Sequence, residues 1–301
     1  MQTGSLQFRE FRTPEGLLLY NRESGLNVLL ESFKFPRFDK PLYVQVKVTN
    51  KCNLHCSFCS QRSDASFAHQ WSFEELSALF RYLDECRIGG IAIGGGEPFT
   101  FPRLAELVRK TWNETSLDVS ITSNGLLIRD DDLKILSENV GEIRLSCWTE
   151  KDVDKAKRLV GKGVPIALNT ILFSNGADNV KRVIKAAQSL GITDFLILQC
   201  RPVGRADQNL RPTGRDFQKL AEFVRDLGIH VKVDVGTGKE MSKEGLRRLG
   251  LQSTTDPIIC ITEDRCIAPD SFSREKIPIR RFEDIPRLFE VWQEQGKLSH
   301  S

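Results

Sequence analysis

The sequence predicts an α/β fold built on a parallel sheet, and three observations carry that expectation. Six short β-rich runs alternate with six amphipathic stretches between Leu42 and Asp226. A strand followed by a helix and then another strand must return to the same end of the sheet, so the repeat implies parallel pairing. The chain has 301 residues, 40% hydrophobic and 28% charged, which is enough for a sizeable core without covalent staples and excludes coiled-coil, collagenous and wholly disordered classes.

Residues 1–40 read as an N-terminal extension. Gly16–Tyr20 and Leu26–Leu30 flank the turn-prone Glu23-Ser24-Gly25, which predicts a hairpin. The β-rich runs are Leu42–Val48, Gly90–Ile93, Leu117–Thr122, Glu142–Ser146, Pro165–Leu172 and Asp194–Gln199. Helical patterns lie near Phe73–Glu85, Arg103–Lys110, Asp130–Glu138, Asp152–Gly161, Asn179–Leu190 and Arg215–Asp226, with Asp130 and Asp152 as caps and Gly161 and Gly191 as stops. A doubly wound sheet and a barrel-like sheet both fit this string, and either gathers ligands at the C-terminal strand ends. The rhythm breaks after Ile229–Val235. Residues 41–236 are therefore read as the core domain and 237–301 as a distinct tail with a helix around Pro286–Glu294.

Charge discriminates little. Lys and Arg number 43 against 40 Asp and Glu, a net of +3, short of what a nucleic-acid binder carries. Arg247-Arg248 and the run Arg274, Lys276, Arg280 and Arg281 are read as solvated faces. No stretch approaches the roughly 18 consecutive apolar residues of a membrane span, and the N-terminal residues lack the apolar centre of an export signal. The expected location is cytoplasmic. In a reducing compartment disulfides are not expected, so closely spaced cysteines point to metal or redox chemistry.

Cys52, Cys56 and Cys59 crowd into the loop after the first β-rich run of the core, separated by three residues and then two. A zinc site would need a fourth ligand, and His55 stands too close to Cys56 to complete the same tetrahedron easily. Three thiolates also suit a [4Fe–4S] cube with one iron left open. Cys86 falls inside a helical pattern and is read as a small core residue, and His69 as a loop histidine. Cys147-Trp148 suits either the core or a cavity wall. Tyr20, Tyr43 and Tyr82 are too scattered to suggest a radical relay.

The cysteine loop with Phe58 before its last cysteine, Gly95-Gly96-Glu97-Pro98 closing the second strand, and Thr122-Ser123-Asn124-Gly125 closing the third resemble the radical S-adenosylmethionine superfamily. Ser146 ends the fourth strand, Asn169-Thr170 lies on the fifth, and Gln199–Arg205 follows the sixth, so the resemblance covers residues 42–206. It implies a partial (βα)6 TIM-like barrel. It further implies a [4Fe–4S] cluster on Cys52, Cys56 and Cys59 that binds S-adenosylmethionine, and reductive cleavage to a 5′-deoxyadenosyl radical that abstracts a substrate hydrogen atom. Phe58, Gly95, Gly96, Glu97, Ser123, Asn124, Ser146 and Asn169 would line the cofactor pocket. The glycines would let backbone carbonyls approach the methionyl amine, Glu97 would hydrogen-bond it, and Ser123 and Asn124 would meet ribose hydroxyls, although Asn-Gly also favours a plain turn. A flavodoxin- or ferredoxin-type electron donor is expected, with a ribosomally made peptide or a small metabolite as substrate.

Cys260–Ser271 resembles the start of a SPASM/twitch-like extension carrying auxiliary clusters. It departs from that pattern at Ser271, where glycine is usual, and lacks the cysteine that should follow. With Cys200, Cys260 and Cys266 the remaining candidates, a degenerate extension and a single cluster are expected.

Overall fold

The computed structural model describes residues 8–13, 16–22, 26–30, 41–227, 231–234 and 259–298. The expected domain boundaries at 40/41 and 236/237 lie outside the described residues. Near the N-terminus, β1 (Arg9–Thr13), β2 (Gly16–Asn21) and β3 (Leu26–Leu30) form an antiparallel sheet in that order. The expected hairpin is β2–β3, in register Leu18↔Leu29. The added strand β1 has the charged sequence Arg-Glu-Phe-Arg-Thr, which carries no apolar alternation to announce it.

Six βα units follow. The strands are β4 (Tyr43–Thr49), β5 (Gly90–Gly95), β6 (Asp118–Ser123), β7 (Glu142–Ser146), β8 (Ile166–Leu172) and β9 (Phe195–Gln199). The helices are α1 (Phe73–Glu85), α2 (Leu104–Glu114), α3 (Leu133–Asn139), α4 (Asp154–Val160), α5 (Ala177–Gln188) and α6 (Gly214–Leu227). The strand β10 (Val231–Val233) pairs in parallel with β9. Alternation decides which way each strand faces: Val44, Val46 and Val48 are fully buried in the helix-facing core with Leu76, Leu79 and Phe80 of α1, so Tyr43, Gln45, Lys47 and Thr49 line the opposite face.

The tail joins the same sheet. After it come β11 (Ile259–Ile261), β12 (Cys266–Ala268), β13 (Ile277–Pro278) and α7 (Ile285–Leu298). β11 lies parallel to β4, with Val46 opposite Ile261, and β12 and β13 continue antiparallel. The sheet order is β10-β9-β8-β7-β6-β5-β4-β11-β12-β13, an open barrel whose two ends do not pair. Among the described residues, no helix is long and apolar enough to cross a membrane.

Helix starts follow local chemistry. Ser72 and Glu75 form a reciprocal capping box at α1. Asp152 is the third residue of a 3₁₀ turn, and its carboxylate accepts the N–H groups of Trp148 and Thr149 at 3.0 and 2.7 Å, with Thr149 as the cap. Asp130 makes no cap: it opens a 3₁₀ turn whose capping position is Arg129, and its carboxylate pairs with Arg158. Gly161 ends α4, and Gly191 follows α5 with φ of +77°, the left-handed conformation that favours glycine.

At the bottom of the barrel two of the three tyrosines come together, while Tyr82 packs apart against Phe282. Tyr43 Oη lies 2.8 Å from Tyr20 Oη and 2.8 Å from Asp118 Oδ2, so a core strand, the N-terminal sheet and β6 meet in one buried knot. Residues 23 and 75 positions from Tyr43 are brought together by pairing that local sequence does not reveal. Arg9 adds an ion pair to Asp84 at the end of α1, at 2.9 Å.

Candidate active site

At the C-terminal end of β4 the chain leaves the sheet as the cysteine loop. Cys52, Cys56 and Cys59 are all half-buried free thiols. The loop is tied at its base, where Cys52 N–H donates to the Asp64 carbonyl at 2.9 Å, and inside, where Cys59 N–H donates to the Cys56 carbonyl at 3.2 Å. Burial pushes the Cys52 thiol up, opposed by an N–H from Leu54 and reinforced by Glu97 and the other two thiols. Burial and then Cys59 push the Cys56 thiol up, while Arg205 pulls it down.

Gly95 and Gly96 fit the loop for a reason that the motif did not reveal. A Cβ on Gly95 would strike the Thr49 carbonyl oxygen and one on Gly96 the Lys51 carbonyl oxygen. Bare backbone lets this segment lie flat against the root of the cysteine loop, where Gly96 N–H donates to Thr49 and Glu97 N–H to Lys51, both at 2.8 Å. Gly95, at φ of +117°, also needs the conformational freedom.

Glu97 is almost wholly buried, and its carboxylate is spent on the protein. Oε1 accepts Ser123 Oγ at 2.8 Å and Phe99 N–H at 3.1 Å, and Oε2 accepts Asn124 N–H at 2.7 Å. Burial pushes its pKa up, and these donors oppose the shift. Ser123 and Asn124 are likewise engaged. Ser123 Oγ accepts Gly125 N–H, Asn124 Oδ1 accepts Leu126 N–H, and Asn124 Nδ2 donates to Asn53 Oδ1 of the cysteine loop at 2.8 Å. The three residues form a brace between the ends of β5 and β6 and the loop.

Ser146 and Asn169 stand opposite one another on β7 and β8. Arg144 Nη1 approaches Asn169 Oδ1 at 3.5 Å, a long contact, and Lys155 Nζ donates to the Ser146 carbonyl at 3.0 Å. Phe58 packs edge-on against Trp148 and Phe173, ring centroids 5.4 and 5.0 Å away, so an aromatic cluster connects the loop to the ends of β7 and β8. Cys147 is fully buried and belongs to the core. His69 Nδ1 lies 2.9 Å from Thr49 Oγ1, fastening the loop's return.

The sequence reading assigned no role to Asn53, Lys155, Gly204 or Arg205. Arg205 grips the cysteine loop from the segment after β9, and a Cβ on Gly204 would strike the carbonyls of Cys59 and Ser60. Their signal was the Gly-Arg pair just past a strand end. On the far side, Lys47 Nζ and Gln61 Nε2 both donate to the Ser271 carbonyl, at 3.1 and 2.7 Å, and the Arg201 guanidinium lies 4.5 Å from the Phe272 ring centroid.

The donor set fits a [4Fe–4S] cube. Three soft thiols sit in one loop, and their mutual repulsion as thiolates is relieved by a cation bound among them. Among the described residues, no three His, Cys, Asp or Glu side chains converge on one point as a single zinc ion requires. In the tail, Cys260 and Cys266 are buried, and their thiols donate to the Ile261 and Asp264 carbonyls; burial raises both, and that of Cys260 reaches about 12.

Comparison with known proteins agrees with this geometry. Residues 46–201 match the Radical SAM superfamily. The chain is 23% identical to the "Probable GTP 3′,8-cyclase" of Saccharolobus islandicus (strain Y.N.15.51 / Yellowstone #2), over 65% of this chain and 69% of that one. It is 23% identical to the "GTP 3′,8-cyclase" of Clostridium perfringens (strain SM101 / Type A), over 77% and 79%. In fold it resembles Streptococcus suis SuiB bound to S-adenosylmethionine, with a TM-score of 0.70 at 14% identity over 97% of this chain and 88% of that one. It also resembles anSMEcpe with bound AdoMet and Cp18Cys peptide, with a TM-score of 0.60 at 18% identity over 83% and 80%. The matched family spans more than half of the chain and includes the cysteine loop and its bracing strand ends: this protein belongs to the radical SAM superfamily, whose enzymes use a [4Fe–4S] cluster and S-adenosylmethionine.

Proposed function

We propose that Cys52, Cys56 and Cys59 hold the [4Fe–4S] cluster with one iron open to S-adenosylmethionine, and that the enzyme removes a hydrogen atom from a ribosomally made peptide. The observation that carries the cluster assignment is the gathering of three half-buried thiols in one strand-end loop, braced from β5 and from the segment after β9. When bound, the pair would supply radical chemistry able to attack an unactivated C–H bond, given one electron from a flavodoxin- or ferredoxin-type donor. The chain's residues bind, orient and exclude. Gly95 and Gly96 offer carbonyls to the methionyl amine. Ser146 Oγ and Asn169 Nδ2, which have no hydrogen-bond partner among the described residues, suit the ribose hydroxyls. Glu97, Ser123 and Asn124 act through the brace, and Phe58 with Trp148 and Phe173 keeps water from the reacting atoms.

The peptide reading is supported by the likeness in fold to SuiB, solved with its precursor peptide SuiA, and to anSMEcpe with bound peptides. The names of the sequence relatives favour a second reading, a small metabolite. Both readings share the first step. Anaerobically reconstituted protein under dithionite should form 5′-deoxyadenosine, and Ala at all three cysteines should abolish it and remove most of the iron. Undiminished cleavage in that variant would end the assignment. Mass spectrometry of material co-purified with the reconstituted enzyme separates peptide from metabolite.

A further inference from the structure

The segment after β9 holds the cysteine loop through one residue pair. Arg205 donates its backbone N–H to the Cys59 carbonyl at 3.0 Å, Nε to the Cys56 carbonyl at 2.9 Å and Nη2 to the Ser63 carbonyl at 2.7 Å. Gly204, at φ of +69°, lets the backbone close on Cys59 and Ser60. Two of the three carbonyls belong to cluster cysteines, and the third lies one residue before the Asp64 carbonyl that ties Cys52. A planar fork can reach two carbonyls seven positions apart in the chain at fixed separation, whereas a lysine's single nitrogen cannot.

No carboxylate among the described residues is hydrogen-bonded to this fork. Among the described residues, Arg205 makes no ion pair; its polar contacts are backbone carbonyls. Two acids share the neighbourhood: Asp152 acts on Cys56 against Arg205, and Asp64, hydrogen-bonded by Ser66, feels the Arg205 charge as well as that of His55. The guanidinium is nevertheless the charged group hydrogen-bonded to the backbone of the cysteine loop itself, at the carbonyl of Cys56. Adding an electron to a thiolate-bound cluster increases its negative charge, so a fixed cation stabilises the reduced form relative to the oxidised one.

We propose that Arg205 is a positioning residue with an electronic consequence: its fork shapes the cysteine loop, and its charge raises the reduction potential of the cluster that the loop holds. The proposal rests on the cluster assignment above. Easier reduction lets a weaker electron donor prime the enzyme.

The test compares wild type, Arg205→Lys and Arg205→Gln, each reconstituted anaerobically without S-adenosylmethionine. Iron and sulfide are quantified, and the reduced cluster is followed by electron paramagnetic resonance during a redox titration. At the wild-type midpoint potential, Arg205→Gln should show a reduced-to-oxidised ratio about tenfold lower, a fall of 59 mV for one electron. Arg205→Lys should keep the potential and lose iron faster to a chelator, because charge remains and the fork is gone. A wild-type potential in Arg205→Gln, or equal falls in Gln and Lys, overturns the electronic role. If Arg205→Gln holds no iron, Arg205→Met takes its place: a lowered potential supports the role of charge, and a wild-type potential refutes it. A wild type that assembles no cluster refutes the cluster assignment itself, a different result from any shift between variants.

Discussion

The carboxylate of Glu97 accepts the backbone N–H of Asn124 at 2.7 Å, which staples the end of β5 to the end of β6 beneath the cysteine loop. The same carboxylate takes Ser123 and Phe99, and Asn124 passes the connection on to Asn53. The glutamate therefore has work to do in the protein before any ligand arrives.

Glu97→Ala should destabilise the protein itself. It leaves buried donors on Phe99, Ser123 and Asn124 without an acceptor, a loss of about 3–5 kcal/mol in line with broken buried networks. Denaturant unfolding of the metal-free protein measures it. A midpoint equal to that of wild type would mean that the staple carries no energy and that the residue serves only ligand.

Ser146→Ala and Asn169→Ala should behave in the opposite way. Within the protein, Ser146 Oγ holds nothing else and Asn169 adds only the long contact from Arg144 Nη1, so the melting temperature should stay near wild type. Affinity for S-adenosylmethionine should fall by roughly two- to tenfold per substitution, the worth of a neutral hydrogen bond. Calorimetric titration of the reconstituted enzyme reads it, and unchanged affinity in both variants removes them from the pocket.

Gly96→Ala and Gly204→Ala insert a methyl where a backbone carbonyl of the cysteine loop already lies. Neither carbonyl can move without displacing a cysteine or its neighbour. Both variants should retain the far-UV circular dichroism of the fold and hold less than about half of the wild-type iron, since the collision falls in the loop and spares the sheet. Full iron content in either shows that the loop tolerates a shift.

The knot of Tyr20, Tyr43 and Asp118 gives a pH signature. Burial raises the Asp118 pKa, and hydrogen bonds from both tyrosines, a backbone N–H and the nearby Arg22 charge only partly oppose it. A carboxyl with a raised native pKa favours folding while protonated in both states. Its contribution is complete below the unfolded value near 3.8 and is lost as pH rises through the native value. Asp118→Asn should lack this loss, so its melting temperature relative to wild type should improve from pH 4 upward and then level off. A difference that does not change with pH contradicts the titration.

Much of the barrel was legible because its physics is local. Val44, Val46 and Val48 alternate, α1 has its capping box written as Ser72 and Glu75, and both signals survive in any context. The three cysteines were legible because one loop contains them all. Elsewhere the deciding contacts are remote. Whether Glu97 meets a ligand or Asn124, and whether Tyr43 meets Tyr20, depends on strand order, which no window of sequence states. The tail shows the same limit: β11 has only three residues, and nothing in Ile-Cys-Ile says that it will pair with β4 rather than pack apart.

Arg205 and Cys56 are 149 positions apart, and the contact between them means that the cysteines do not own the shape of their loop. During synthesis, a ribosome that has delivered Cys59 has delivered all three cysteines of the loop, yet Arg205, which grips that loop, is still some 146 residues away. A chain cut short before residue 205 would keep the three cysteines and lose the hydrogen bonds by which Arg205 fixes the shape of their loop.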